Sequence, residues 1–164
     1  MPLAARVSDL ATRIAQEFNL RLRGTRVRST ADAVPTSTTY VDVPGLSLPI
    51  PAGETWALEL DAHTLGASTS TGVNLQLVAV GPAVIASATS SGMGIAGTVA
   101  TPHAGTTAVA AAGFNKSTTR APVRIIWTVT MGATGGTVKV QAASSGAGTT
   151  RVYAGAVLSG GKAP

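Results

Sequence analysis

The stretch TWALELDAHT, residues 55–64, decides the fold class, because large apolar side chains recur in it at every second position. This period places them on one face of a β-strand, whereas an amphipathic helix repeats them every three or four residues. One face holds Trp56, Leu58, Leu60 and Ala62, and the other holds Ala57, Glu59, Asp61 and His63. The stretch therefore predicts a strand that contributes one face to a core.

The same period of two extends through most of the chain. Further candidate strands cover 38–43, 46–50, 72–80, 83–89, 94–101, 107–114, 123–131, 137–143 and 150–158. Gly, Pro, Ser or Asn separates these runs, and Pro44-Gly45 is predicted to be a turn between two of them. This spacing is typical of a mainly β protein. We expect a single antiparallel β-sandwich or jelly-roll-like domain over residues 37–158, with at most ten strands.

Two of these runs are predicted to form the centre of the core, because every second residue in them is apolar. The inward positions are Val123, Ile125, Trp127 and Val129 in one run, and Val138, Val140 and Ala142 in the other.

Residues 1–22 differ from the rest, because their apolar residues follow a helical period. The stripe consists of Leu3, Val7, Leu10, Ile14, Phe18 and Leu22. Spacings of three and four place these residues on one face of an α-helix, which is only marginally stable unless a partner covers it. We therefore predict an N-terminal amphipathic helix over 1–22 that serves as an anchor or an oligomerisation element. Residues 23–36 are predicted to be an extended basic linker, and 159–164 a flexible tail.

The positive charge is concentrated near the N-terminus. The formal net charge is +5 and the isoelectric point about 10.5. Residues 1–28 hold six arginines against two acidic residues, whereas residues 29–164 hold six basic and five acidic side chains. A nearly neutral body argues against a nucleic-acid partner, which requires a concentrated basic face. Four arginines, one just before the linker and three within it, are either solvated or dock on an acidic neighbour: Arg21, Arg23, Arg26 and Arg28.

The distribution of reactive side chains argues against an enzyme. The chain has no cysteine, and no Asp or Glu follows Asp61. Glu59 and Asp61 share one strand face, which is typical of a solvated polar edge. His63 and His103 lie in no metal-binding motif. We therefore expect no catalytic residue, no metal and no cofactor.

Gly92, Gly94 and Gly97 match the dinucleotide-binding spacing GxGxxG, but the context differs from that of a nucleotide site. Such a site requires a following helix and an acidic residue about 20 positions later. TVATPHAG follows instead, and no acidic residue is available. A glycine-rich loop or strand explains the spacing better.

Neither a secretory signal nor a membrane span is expected. Charged residues interrupt the N-terminal apolar positions, and the chain has no apolar run of the roughly 18 residues that a spanning helix needs. We expect a soluble protein that is made in the cytoplasm, without membrane insertion.

Four segments resemble minor tail or fibre-type β-domains of tailed bacteriophages. They are MPLAARVSDLATRIAQEF at the N-terminus, TSTTYVDVPGLSLPIPAGETWALEL with TGVNLQLVAVGPA in the body, and RVYAGAVLSGGKAP at the end. The resemblance implies a virion protein, assembled in the cytoplasm of a bacterial host, in which the helix anchors or trimerises, while a homotrimeric β-domain forms the exposed end. The chain is short for a fibre and has no repeated shaft. A capsid decoration or head-fibre protein is therefore the close alternative.

Two further functions are open to such a chain. A glycan-binding module would use the loops at 66–72, 92–97 or 113–119, and its exposed aromatic residues would be Phe114, Tyr40 or Tyr153. A wall-degrading enzyme would depend on Glu59 and Asp61.

Overall fold

The computed structural model describes residues 24–80, 85–93, 99–106, 108–114 and 116–163. These residues form eleven strands and no helix. The strands are β1 (Thr25–Arg28), β2 (Val41–Ile50), β3 (Thr55–Leu65), β4 (Val73–Val80), β5 (Ile85–Met93), β6 (Val99–Thr106), β7 (Ala108–Phe114), β8 (Ala121–Met131), β9 (Gly136–Ser144), β10 (Arg151–Val152) and β11 (Val157–Lys162). The helix predicted over 1–22 lies outside the described residues.

The strands form two antiparallel sheets. The first has the order β1-β11-β3-β8-β5-β6, with the short β10 paired to the end of β3, and the second has the order β2-β9-β4-β7. Most consecutive strands lie in opposite sheets, so the chain crosses repeatedly between the two layers. The prediction of a mainly β, antiparallel sandwich is confirmed.

The core lies between the two sheets and is built from the alternating positions that the sequence indicates. In β3, Leu58 and Leu60 are fully buried and Ala62 is nearly so. The predicted inward faces of β8 and β9 are also buried: Val123, Ile125, Trp127, Val129, Val138, Val140 and Ala142. Period-two alternation therefore locates the core correctly in these strands.

Residues 157–162 form β11. The prediction of a flexible tail over 159–164 is therefore wrong for residues 159–162. This strand lies inside the first sheet, between β1 and β3, and pairs with β3 from Val157–Asp61 to Lys162–Trp56. Its sequence, VLSGGK, has no alternation of large apolar residues. Gly160 is buried against Leu58, where a β-carbon would not fit, so the close approach of two strands requires glycine there.

Residues 25–28 form edge strand β1, so the predicted linker over 23–36 contributes to the sandwich. Val27 packs against the core, while Arg26 and Arg28 are exposed. Further along, the amide of Ala33 donates to the carbonyl oxygen of Val152, and the amide of Val152 donates to that of Ala33, each at 2.9 Å. The Ala33 side chain is buried. One inward apolar residue among arginines is too weak a pattern to indicate a strand.

Pro44-Gly45 lies within a single strand, β2, rather than in a turn between two strands. Pairing with β9 shifts register between Asp42 and Ser47, which leaves the Pro-Gly pair in an irregular segment of the strand. Gly45 has a φ of 83°, and a β-carbon at this position would lie 2.7 Å from the carbonyl oxygen of Arg28. The predicted run 150–158 divides instead, because the chain turns at Gly155, with a φ of 87°, between β10 and β11.

The connections divide between two ends of the sandwich. The loop end contains residues 66–72, 116–120 and 145–150, which join strands that finish at Leu65, Phe114 and Ser144. The termini end contains residues 51–54 and 132–135, and there the amide of Ala163 donates to the carbonyl oxygen of Thr55 at 2.8 Å. Gly24 also lies toward the termini end, beside Gly161.

Candidate functional site

The loop end gathers segments that are far apart in the sequence. The amide of Gly66 donates to the carbonyl oxygen of Ser117 at 2.8 Å, and the amide of Ser145 donates to that of Gly72 at 2.9 Å. Two of the three loops predicted for recognition, 66–72 and 113–119, therefore meet at one end. In the third, 92–97, residues 94–97 lie outside the described residues.

The aromatic residues predicted to be available for a ligand also lie toward this end. Tyr40 immediately precedes β2, Phe114 pairs with Val73 at the start of β4, and Tyr153 follows β10. Tyr40 is half-buried, and burial raises the pKa of its phenol. Of the other aromatic residues in the described part, Trp127 is in the core and Trp56 is at the termini end.

Tyr153 is the centre of a polar cluster at the loop end. Its ring centroid is 4.5 Å from the guanidinium carbon of Arg120 and 5.6 Å from that of Arg151. Both distances are within the range of a cation–π interaction. The Tyr153 amide donates to the carbonyl oxygen of His63 at 3.0 Å, which ties the cluster to the end of β3.

Asp32 fixes one side of this cluster. Its Oδ2 is 3.2 Å from Nη1 of Arg151, and its Oδ1 accepts a hydrogen bond of 2.7 Å from the amide of Ala154. Arg120 is exposed, so the cluster presents two guanidinium groups and one carboxylate, with an excess of one positive charge. Such an arrangement provides an aromatic ring and a positioned donor for anionic or hydroxyl groups of a ligand.

The strand face with Glu59 and Asp61 is occupied by a surface ion pair. Oε1 of Glu59 is 2.6 Å from Nη2 of Arg124, and this contact raises the pKa of the Arg124 guanidinium. Asp61 and His63 are exposed on the same face.

The two histidines do not meet. His63 lies on β3 and pairs with Pro122 of β8, whereas His103 lies on β6, three strands away in the order β3-β8-β5-β6, and pairs with Ala88 of β5. Among the described residues, no group of three or more His, Asp or Glu could hold a metal ion.

The predicted anchor is described only in part. Arg26 and Arg28 are exposed on β1, and no ion pair involving either of them occurs in the part of the chain that the structure describes. Arg21, Arg23 and the predicted helical stripe lie outside that part: Leu3, Val7, Leu10, Ile14, Phe18 and Leu22.

A second feature, which the sequence did not indicate, is an open apolar groove at the termini end. It has a volume of about 550 Å³ and lies between the two sheets. Its lining residues are Thr25, Pro49, Ile50, Pro51, Trp56, Gly135, Gly136 and Thr137. The sequence gives only an indirect sign of this groove, namely a tryptophan and two prolines close to one strand connection.

Glu54 fixes the indole of Trp56 in this groove. Its Oε2 accepts a hydrogen bond of 2.8 Å from Nε1 of Trp56, and its Oε1 accepts one of 3.0 Å from Nζ of Lys162. These two bonds lower the pKa of the Glu54 carboxyl. The ring is half-buried and packs against the core from the open end.

No protein-family model matches the chain, and no curated protein matches it. Among solved structures, the chain is similar to the TNF protein Eiger from S. frugiperda, with 8% identity and a TM-score of 0.41 over 86% of this chain and 92% of that one. A subviral particle of infectious bursal disease virus VP2 is 10% identical, with a TM-score of 0.28 over 87% of this chain and 41% of that one.

The module TmCBM61, solved in complex with β-1,4-galactotriose, is 13% identical, with a TM-score of 0.28 over 87% of this chain and 91% of that one. Scores at this level assign neither a family nor a function. Within the described residues, no helix is long and apolar enough to span a bilayer.

Proposed function

We propose that the protein is a non-enzymatic structural protein on the surface of a tailed-phage virion, of minor tail or fibre type. The observation that carries this proposal is that the termini and the loops lie at opposite ends of the sandwich. The chain enters it at Gly24, toward the termini end, while the loops at 66–72, 116–120 and 145–150 gather at the opposite end. A domain attached through residues 1–28 would therefore present its loops away from the particle.

The order of the strands supports the same proposal. Without β5, β6 and β10, the two sheets read β1-β11-β3-β8 and β2-β9-β4-β7. This is the connectivity of a jelly roll, in which two Greek keys form an eight-stranded double sheet, as in viral capsid and lectin domains. The resemblance of the N-terminal and body segments to phage tail and fibre β-domains points in the same direction.

A homotrimer is part of this proposal. The core consists mainly of aliphatic and small side chains, together with the indole of Trp127. Large apolar side chains that remain exposed include Val41, Val80 and Ile126, each close to two-fifths exposed. Burial of such side chains between copies would add stability. A monomer in light scattering at micromolar concentration, both alone and with its virion partner, would contradict the trimer.

The attachment role is tested by two substitutions in the predicted stripe, Leu10→Asp and Ile14→Asp. The sandwich should stay folded by circular dichroism, because its described core contains no residue before Val27. Incorporation into particles should be lost, because the apolar stripe is interrupted. The matched control is Arg6→Asp with Arg13→Asp, which leaves the stripe intact. Normal incorporation of the Leu10/Ile14 variant would refute the proposed role of residues 1–28.

Placement on the head, as a decoration or head-fibre protein, is the alternative within the same class. It needs the same attachment through residues 1–28 and the same outward loop end. The two placements differ in where the protein lies on the particle, so labelling of intact virions separates them.

A second candidate function, recognition of a cell-surface glycan, is supported by the Tyr153 cluster. A ring flanked by Arg120 and Arg151 at a loop-rich end is suited to hydroxyl and acidic groups of a sugar. Tyr153→Ala with Arg120→Ala should abolish adsorption of the purified protein to host cells. Trp56→Ala at the opposite end is the control and should adsorb normally. Absence of adsorption by the unsubstituted protein would leave only the structural role.

A further inference from the structure

The groove at the termini end is an open, mainly apolar surface beside the core. Ile50, at its base, is 1% exposed, while Trp56 at its side is held by Glu54 with its ring half-buried. Its lining is supplied by both sheets and is mainly apolar or backbone. Contact of water with such a surface is unfavourable, so an apolar occupant would be stabilised there.

We propose that this groove holds the last turn of the chain's own N-terminal stripe, Phe18 and Leu22. The inference concerns the isolated protein and does not depend on the virion. Thr25 is itself a lining residue, and Leu22 precedes it by only three positions. Three residues span at most about 10 Å, so Leu22 reaches the groove from where the described chain begins.

The covalent link favours the chain's own segment over that of a second copy. A short tether gives a segment an effective concentration of roughly millimolar at its site. At micromolar protein, the stripe of another copy would therefore be outcompeted. The neighbouring strand supports the same geometry, because Val27, on β1, already packs its side chain against the core.

The size of the groove limits how much of the stripe it can hold. A helix over residues 3–22 would be about 30 Å long, whereas Phe18 and Leu22 are about 6 Å apart along it. A groove with a volume of about 550 Å³ has room for a few side chains and not for the whole stripe. The groove would thus fix the direction of the helix relative to the sandwich and leave Leu3, Val7, Leu10 and Ile14 free for an external partner.

Quenching of Trp56 fluorescence by acrylamide tests this inference in the full-length chain. Trp127→Phe removes the other indole, so the emission reports Trp56 alone. In this background, Phe18→Asp with Leu22→Asp should increase the quenching constant about twofold, because one face of a half-buried ring becomes open to water. Leu3→Asp with Val7→Asp is the matched control and should leave the constant unchanged.

A second measurement uses the absence of cysteine in the chain. Leu22→Cys with Thr137→Cys should form an intramolecular disulfide on mild oxidation, whereas Leu3→Cys with Thr137→Cys should not. Unchanged quenching in the Phe18/Leu22 variant, or an equal increase in the Leu3/Val7 variant, would overturn the inference. A disulfide that forms only between chains, or quenching that depends on protein concentration, would also overturn it, since a second copy would then fill the groove.

Discussion

Replacement of Gly160 by alanine is expected to destabilise the protein, whereas the same change at the adjacent Gly161 is not. Gly160 lies in β11, inside the first sheet. A β-carbon there would overlap Cδ2 of the fully buried Leu58 and would lie 3.1 Å from the carbonyl oxygen of Ala57. Overpacking of a core typically costs about 1–3 kcal/mol. At Gly161, the nearest atom, Cα of Gly24, would be at an ordinary contact distance of 3.8 Å.

The expected result for Gly161→Ala is a stability between unchanged and about 1 kcal/mol higher, because alanine restricts the unfolded chain. The two variants differ by one position and have the same composition, so they are matched in every respect except the strand face that they alter. Urea unfolding followed by tryptophan fluorescence measures both, with the midpoint as the readout at constant m-value.

Equal midpoints for Gly160→Ala, Gly161→Ala and the unsubstituted protein would refute the placement of β11 between β1 and β3. This is the result that a flexible tail over 159–164 predicts, because alanine in a solvated tail changes little. A lower midpoint for both variants would also contradict the register, in which only Gly160 faces Leu58.

Three further outcomes are expected from the structure. Trp127→Phe should lower the free energy of unfolding, measured in urea, by less than about 1 kcal/mol. The substitution removes a buried indole N–H that has no hydrogen-bond partner among the described residues, and such a group costs roughly 1–3 kcal/mol. A loss as large as the roughly 3–5 kcal/mol usual for Trp→Ala would contradict this expectation. A hydrogen bond of 2.8 Å from Lys139 lowers the pKa of the Asp42 carboxyl below its ordinary value of 3.8. The Asp42 carboxylate therefore stabilises the folded protein above pH 3.8, and this stabilisation disappears as the pH falls through the lower folded pKa. The difference in unfolding midpoint between Asp42→Asn and the unsubstituted protein should therefore be measurable near neutral pH and absent in strong acid, and a difference independent of pH would count against it. Gly45→Ala should destabilise more than Gly53→Ala, because both have positive φ but only Gly45 lacks space for a β-carbon; thermal unfolding compares them, and equal shifts would show that the close approach is absent.

The strands with large alternating side chains could be predicted from the sequence, whereas β1 and most of β11 could not. β3, β4 and β8 bury one face and expose the other, so their hydrophobic period is a direct consequence of their position. β1 and β11 contain few large apolar residues, because one lies at the sheet edge and the other passes close to Leu58 through Gly160. Their pairing depends on contacts with distant strands, which no local pattern encodes.

For the candidate sites too, local features could be predicted from the sequence, whereas their arrangement in space could not. Glycine-rich loops and isolated aromatic residues were visible in the sequence as separate features. Their meeting at one end was not, because it depends on the strand order that brings 66–72 next to Ser117 and Tyr153 next to Arg120. The groove was missed because its lining residues come from both sheets and only Trp56 among them is conspicuous in the sequence.

The most direct test of the proposed function is electron microscopy of intact particles labelled at single introduced cysteines. Thr69→Cys at the loop end and Ala52→Cys at the termini end are both exposed positions in a cysteine-free chain. Gold coupled to position 69 should lie farther from the particle than gold at position 52, because the proposal attaches the protein to the particle through the termini end. Absence of the protein from particles, or gold at position 52 farther out than at position 69, would contradict the proposal.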